Sequence, residues 1–408
     1  MGCRLCKSKK LVEYLDLGYS PTEDSFLSAE DLQTPEIWFP LRVSVCSDCG
    51  FSQLSYVAPL KAKFGSKYIY DTGATLSGVK HYNQFAKDVA KVLSIEKDDL
   101  VIDIGSNTGV LLQAFKDASG CKVIGVDPAP IVAEIANKKE IKTYVLPFGA
   151  ESAERIEKKE GKAKLITGTN VFAHIDDLHD VMRGVKKLLH RDGVFVFESP
   201  HFLNLVKKME YDTIYAGHCS YIAITPLVKF FAKFGMEIFD IVETKIHGGS
   251  IRVFIGKTGK HKIEKIVKDV VKREKEAKIL EPKYLTLWAK KVKKNASELS
   301  KLLWSLKFKG KRIVGIGAPA KGTTLLIYSQ IGTQVIDYLT DANPLKIGKF
   351  SPGMHIPIKS DEYFLKDNPD YALILPWNFA EPIMEKLAEF KKRGGKFIVP
   401  VPYPKIVK

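Results

Sequence analysis

No stretch of this 408-residue chain reaches the ~18–20 consecutive apolar residues that a membrane span requires. The opening Met1-Gly-Cys-Arg-Leu-Cys lacks the apolar core of a secretory signal. Both absences point to a soluble, cytoplasmic protein with no membrane partner. Glutamine is scarce, with six residues, while Lys and Glu abound. That bias is reported for proteins from hot environments, so habitat is expected to account for part of the charge. Cysteine is also sparse, with six residues, and four of them fall into two Cys-x-x-Cys pairs. With 45% hydrophobic residues and this length, two or three domains with real cores are expected.

The formal net charge is +16, which raises the question of nucleic acid. The charge is concentrated, however: residues 257–312 hold 19 Lys/Arg against 6 Asp/Glu, a surplus of 13. This segment has helical periodicity, with Ile263, Ile266, Val267, Val270 and Val271, then Leu285, Trp288, Val292, Leu299, Leu302 and Leu303, as its apolar stripe. The lysines then form a solvated face, and no nucleic-acid partner is expected.

Cys3, Cys6, Cys46 and Cys49 read as a structural zinc site with four thiolates and no open position. Gly50 suits the turn that follows the second knuckle. Redox use is disfavoured in a reducing compartment. The pairs lie further apart than in ordinary ribbons, so an insertion bulges between them. Cys121 and Cys219 read as buried thiols.

Four zones follow along the chain. Residues 1–60 form the zinc module, with apolar strands Leu41–Val45 and Phe51–Tyr56. Residues 61–256 alternate strands (Val101–Ile104, Val123–Val126, Leu165–Thr169, Val194–Glu198, and a late pair near 238–244 and 250–255) with helices, one of which starts near His81. This is α/β with a doubly wound, largely parallel sheet and a closing hairpin. Residues 257–310 are the basic helical connection. Residues 311–408 form a second Rossmann-like unit, with strands 312–316, 335–339, 371–375 and 396–399 and a helix over 323–329.

Val101-Ile-Asp-Ile-Gly-Ser-Asn-Thr-Gly109 carries an apolar run into a glycine turn, and Gly125-Val-Asp-Pro128 puts an acid at the next strand end. Glycines let the backbone approach an adenosine-bearing cofactor, and the acid bonds its ribose hydroxyls. The acid-first form, Asp103 before Gly105, with Asn107 in the middle and Gly109 closing, resembles the S-adenosylmethionine (SAM) site of class I methyltransferases more than a dinucleotide fingerprint. Asp127 is then the ribose acid. A second glycine turn, Gly315-Ile-Gly317 to Gly322, either cradles a substrate phosphate or lets helix and strand pack closely. Ligands of such folds meet the carboxyl ends of the strands. Three segments belong there: 168–175 with His174, 198–201, and 211–221. If Tyr215 to His218 forms a helical turn, both groups project on one side.

Tyr-Asp-Thr-Ile-Tyr-x-x-His-x-Ser-Tyr221, followed by His247-Gly-Gly-Ser-Ile-Arg252, resembles the sugar C-methyltransferases, which methylate nucleotide-linked 4-keto-deoxysugars at carbon 3. So do the paired knuckles, Asn170-Val-Phe-Ala-His174, Gly317-Ala-Pro-Ala-Lys-Gly322, Asp341-Ala-Asn-Pro-x-Lys346, Pro352-Gly-x-His-Ile-Pro357 and the ending Gly394 to Pro402, in the same order over nearly the whole chain. The resemblance implies a zinc module, a central SAM domain and a C-terminal Rossmann-like domain that helps hold the nucleotide-sugar. It implies His218 as base and Tyr215 at the enolate oxygen, with Tyr70 and His174 lining the sugar pocket. Asn170 then joins the cofactor site, and Tyr221, Gly248, Gly249, Ser250, Gly317 and Lys321 the substrate side. A monomer or weak homodimer is expected.

One departure stands out: the family reads Tyr-His-Glu-His where this chain reads Tyr215-Ala-Gly-His218, so the carboxylate beside the base is missing. Rival readings are an O- or N-methyltransferase on the same scaffold, an RNA methyltransferase using the zinc module and basic helices, a nicotinamide-dependent sugar enzyme, and a non-catalytic sugar-binding relative.

Overall fold

The structure is a computed structural model and describes residues 2–64, 73 and 76–407. Tyr70 lies outside the described residues. Three sheets organise the chain.

The central sheet has seven strands in the spatial order 236–244, 250–257, 189–200, 163–169, 100–104, 122–127, 143–145. The five from Leu189–Pro200 to Thr143–Val145 run parallel, and Ser250–Lys257 pairs antiparallel with both of its neighbours. Successive residues of a strand face opposite layers. Val101, Leu165, Val194 and Val196 pack with Phe85, Val89, Leu111 and Phe115 of helices Leu76–Val92 and Val110–Ser119. Ile102, Ile166, Phe195 and Phe197 pack with Ile156, Val181, Val185 and Phe231 on the other face. Near-continuous apolar runs are what a sheet covered on both faces demands. The strand Thr143–Val145 carries no apolar run and was not expected from sequence.

The N-terminal sheet begins with Leu11–Ser20 against Phe39–Cys46, a ten-residue strand that the sequence reading passed over. Its third strand, Ser52–Leu54, pairs with Ser220–Tyr221, so the acceptor segment of the central domain completes the sheet of the zinc module. Cys3, Cys46 and Phe51 share an apolar cluster with the core of the central sheet.

The C-terminal sheet orders 358–359, 339–340, 313–316, 371–374, 396–399, 405–407, parallel except for its last strand. The strand expected over 335–339 shrinks to Leu339–Thr340, because Val335 and Ile336 are buried in a turn that precedes it. Two helices, Lys265–Glu276 and Pro282–Phe308, connect the α/β units. Their lysines face solvent and several pair one turn apart, as in Lys265–Asp269 and Lys294–Glu298. Ile263 does not join the apolar stripe; it precedes the first helix and stays exposed. Asn295, in the buried stripe of the long helix, accepts from the Tyr211 hydroxyl at 2.9 Å and donates to the carbonyls of Pro400 and Pro402. One buried amide thus ties together three parts of the fold. Among the described residues no helix is long and apolar enough to cross a membrane.

Candidate active site

The four cysteines of the knuckles converge. Sγ of Cys3 lies 3.5 Å from that of Cys49, Sγ of Cys6 lies 3.5 Å from that of Cys46, and all four fall within 4.8 Å of one another. A tetrahedral zinc with Zn–S of about 2.3 Å sets its sulfurs roughly 3.8 Å apart, so the donor set fits a closed structural site. Each knuckle ends on a residue of positive φ, Lys7 at 65° and Gly50 at 77°. A Cβ on Gly50 would stand 2.7 Å from that of Leu280, a second reason for glycine there. Between the first two cysteines, Arg4 is buried. Its guanidinium donates to the carbonyls of Leu54 and Cys219 at 3.0 and 3.1 Å and to Asp176 at 2.9 Å. The metal knuckle therefore grips both segments that carry the acceptor-side histidines.

On the cofactor side, the strand Leu100–Ile104 delivers Asp103 to a turn in which Gly105, Asn107 and Gly109 all have positive φ (68°, 50° and 79°). A Cβ on Gly105 would meet Val171 at 2.7 Å, and one on Gly125 would meet the Ser106 hydroxyl at 2.4 Å. The turn is thus fixed against its neighbours. Asp127 accepts the amides of Asn107 and Ala129, both at 2.8 Å, so this acid is held by the turn itself. Burial pushes its carboxyl upward and those two amides oppose it. Asp103 accepts the Thr167 hydroxyl at 2.7 Å, while burial pushes its carboxyl up to about 7. Asn170 has φ of 55°, and its amide donates to the Glu198 carbonyl at 2.7 Å. Its buried Oδ1 has no hydrogen-bond partner among the described residues. A buried unpaired acceptor at the carboxyl end of a strand suits a ligand that brings N–H or O–H groups. Asp103, Gly105, Asn107, Gly109, Asp127 and Asn170 therefore fit SAM.

On the acceptor side, Tyr215 and His218 stand as the spacing predicts. The His218 amide donates to the Tyr215 carbonyl at 3.0 Å, closing a turn, and the rings stack with centroids 4.0 Å apart. The Tyr215 hydroxyl lies 2.9 Å from His218 Nε2, and His218 Nδ1 lies 2.9 Å from the Thr213 carbonyl. A carbonyl can only accept, so Nδ1 carries the proton and Nε2 is the basic nitrogen. The half-buried His174 ring meets His218 edge-on at 4.6 Å. Burial drives the His174 imidazole well below its ordinary range, with the charges of His218 and Lys63 adding to this. A cavity of about 20 Å³ adjoins His218, lined in part by Ser199, Ser220 and Tyr221. The hydroxyls of those three residues are buried without a partner among the described residues.

Gly248, Gly249 and Lys321 gather elsewhere. Gly248 and Gly249 have φ of 82° and 126°, and a Cβ on Gly248 would stand 2.3 Å from Glu210 Oε1. Burial pushes the Glu210 carboxyl up to about 7, Asp212 adds to this, and Lys208 and Lys321 oppose it. Lys321 donates to Asn378 at 2.6 Å, lies 3.9 Å from Asp212 and stacks 4.1 Å over the Trp377 ring. Trp377 in turn donates to Asp212 at 2.6 Å. Ser250 is buried and donates to the Ile246 carbonyl at 3.1 Å. At the second glycine turn the amide of Gly317 meets the Thr340 hydroxyl at 3.4 Å, and that of Ala318 meets Asp341 at 3.0 Å. A carboxylate of the chain thus sits where an anion was expected, and a Cβ on Gly317 would meet Pro376 at 2.8 Å. Close packing explains this turn.

Sequence reasoning missed Arg4, Glu23, Glu210, Asp212 and Trp377. Asp212 lay inside the Tyr211–Tyr221 motif without being singled out, and for Glu23 the acidic pair Glu23-Asp24 offered a signal.

Paired zinc knuckles beside a seven-stranded sheet with an acid-flanked glycine turn define a SAM-dependent methyltransferase with a zinc-binding module. Three family models match in order: a zinc binding domain over residues 3–64, a methyltransferase domain over 79–241 and the C-methyltransferase C-terminal domain over 245–402. The C-methyltransferase NovU of Streptomyces niveus is 35% identical over 406 residues, covering 99% of this chain and 96% of that protein. This chain belongs to the C-methyltransferase family. Similar solved structures include magnesium protoporphyrin IX methyltransferase of Synechocystis PCC 6803 with bound SAH, 15% identical over 46% of this chain and 90% of that one, with a TM-score of 0.35. Another is a SAM-dependent methyltransferase of Clostridium acetobutylicum ATCC 824, 14% identical over 44% and 92%, also at 0.35.

Proposed function

We propose that this enzyme transfers a methyl group to carbon in a nucleotide-activated keto-deoxysugar, with His218 as the base. The observation that carries the reading is the fixed tautomer of His218: Thr213 holds Nδ1, and Nε2 meets the Tyr215 hydroxyl. A C–H beside a ketone is too weak an acid to lose its proton unaided, so it needs a positioned base and a donor for the oxygen that gains charge. His218 Nε2 takes the proton, the electron pair of the C–H bond forms the C=C bond of the enolate, and the π pair of the C=O bond moves to the ketone oxygen. The Tyr215 hydroxyl, already beside the base, donates to that oxygen. When bound, SAM supplies the electrophilic methyl group that takes the place of the lost proton.

Incubation with SAM and a panel of nucleotide 4-keto sugars in deuterated water tests this. Mass spectrometry is expected to show deuterium entering beside the ketone and a C-methylated product, both lost in His218→Asn. An O-methylated product with no exchange would sink the reading.

A further inference from the structure

Gly217 has no side chain, and the reason lies 194 residues away. A Cβ at 217 would fall 2.1 Å from Glu23 Oε1 and 3.2 Å from His174 Nδ1. Glu23 sits in the loop that follows strand Leu11–Ser20 of the zinc module. It is buried, and its Oε2 accepts the Gly217 amide at 3.3 Å. Its backbone carbonyl receives the hydroxyl of Thr323, from the helix Ala320–Tyr328 of the C-terminal domain, at 3.4 Å. Glu23 is therefore held at its carboxyl by the central domain and at its carbonyl by the C-terminal domain, at the point where the turn from Tyr215 to His218 meets His174.

We propose that Glu23 is the positioning carboxylate of the acceptor site, delivered from the zinc module of the same chain to oppose the charge that His218 gains. This rests on the reading of His218 as base. Glu23 forms no bond to substrate. The C–H proton moves to Nε2, its electron pair forms the enolate C=C bond as the carbonyl π pair moves to oxygen, and the resulting imidazolium follows directly on Gly217, whose amide an ionised Glu23 accepts. A side chain at 217 and a glutamate at 23 compete for the same space, so the empty position and the distant carboxylate are one arrangement.

The groups bearing on Glu23 set a pH dependence. Burial pushes its carboxyl up to about 8 and Asp24 adds to this, while the Gly217 amide and Lys63 oppose it. His174 and His218 lie beyond Gly217, and Tyr215 beyond His218. On the C-terminal side Thr323 is uncharged, and Lys346 acts on Asp24. The competent, ionised form thus builds up as pH rises through about 8.

The test is a cycle of Glu23→Gln, Glu23→Ala, Gly217→Glu and the double variant Glu23→Ala/Gly217→Glu. Loss of a group that orients a functional histidine costs about 10- to 100-fold. Glu23→Gln and Glu23→Ala are expected to lose kcat on that scale, to lose the limb of the pH profile near 8, and to bind SAM as before. Gly217→Glu alone is expected to lower the melting temperature, and the double variant to recover most of both stability and kcat. A Glu23→Gln enzyme with full kcat, or a double variant no better than Glu23→Ala, overturns the proposal. Carbon NMR of the Glu23 carboxyl needs no substrate and separates the two readings. A midpoint in the ordinary glutamate range shows that the carboxyl is not in the pocket and overturns this proposal alone. A midpoint near 8 in an enzyme inactive on every sugar supports the placement and sinks only the acceptor.

Discussion

Arg4 is the most informative residue to perturb, because it separates the work of the zinc module from that of the SAM site. Arg4→Met keeps most of the aliphatic volume and removes the guanidinium. Two charge-assisted hydrogen bonds disappear, to the carbonyls of Leu54 and Cys219. Such bonds are worth about 1.5–3 kcal/mol each. The Cys219 carbonyl keeps the Leu54 amide at 3.0 Å, which argues for the low end. The pair with Asp176 adds little, since that carboxylate is 61% exposed. The loss is therefore roughly 3 kcal/mol, a factor of about 150 in the docking of strand Ser220–Tyr221 onto Ser52–Leu54. None of the lost contacts reaches Asp103, Asp127 or the turn between Gly105 and Gly109. Calorimetry is expected to give unchanged SAM binding, hydrogen exchange to show faster exchange at 219–221, and steady-state kinetics to show raised KM and lowered kcat for the acceptor. SAM affinity falling in parallel with acceptor kinetics, or exchange at 219–221 staying slow, would refute the reasoning.

Removing the metal should act in the same direction and further. A chelator strong enough for a thiolate site, or Cys46→Ser, is expected to abolish methyl transfer while leaving measurable SAM binding; full activity after verified zinc loss by mass spectrometry would show the module to be dispensable. Stability should fall with rising pH in the SAM-free protein. The Asp103 carboxyl titrates at about 7 when folded against ~3.9 when unfolded, so between those values the folded state holds a proton that the unfolded chain has released. Unfolding free energy then decreases through that window, by up to ~4 kcal/mol, and levels off above it. Asp103→Asn is expected to flatten part of the slope in urea titrations run from pH 5 to 8. Glu23 and Glu210, raised in the same sense, keep the rest.

The SAM half of the enzyme was legible because each of its devices is local. Asp103, Gly105, Asn107 and Gly109 lie within seven residues, and the acid that meets them follows on the next strand. The tetrad of cysteines was legible from spacing alone, although 39 residues part Cys46 from Cys6. Spacing also placed Tyr215 beside His218, since a single turn joins them. What sequence could not supply was the company these residues keep. Lys321 sits three residues from Ala318 in a motif that invites a phosphate, yet its ammonium lies between Asp212, Asn378 and the Trp377 ring. Arg252 closes a motif that reads as substrate-facing, but its guanidinium bonds the buried Glu198 at 3.0 Å and stacks 3.8 Å over Phe85. These partners come from segments distant in sequence from Lys321 and Arg252, and only tertiary packing brings them together.

Gly217 shows how far this limit extends. In sequence it reads as a lost carboxylate and therefore as grounds to doubt carbon methylation. In the folded chain the same position is filled by the side chain of Glu23, which reaches it from another domain. A glycine beside a functional histidine signals loss only where nothing else can enter the space that a Cβ vacates. Here the zinc module enters it, and the same module contributes Arg4 to the Cys219 carbonyl and Ser52–Leu54 to the strand Ser220–Tyr221. On the proposed function, this module would shape the acceptor pocket, and its metal is expected to act on chemistry more than 200 residues along the chain because Arg4 lies between two of its cysteines.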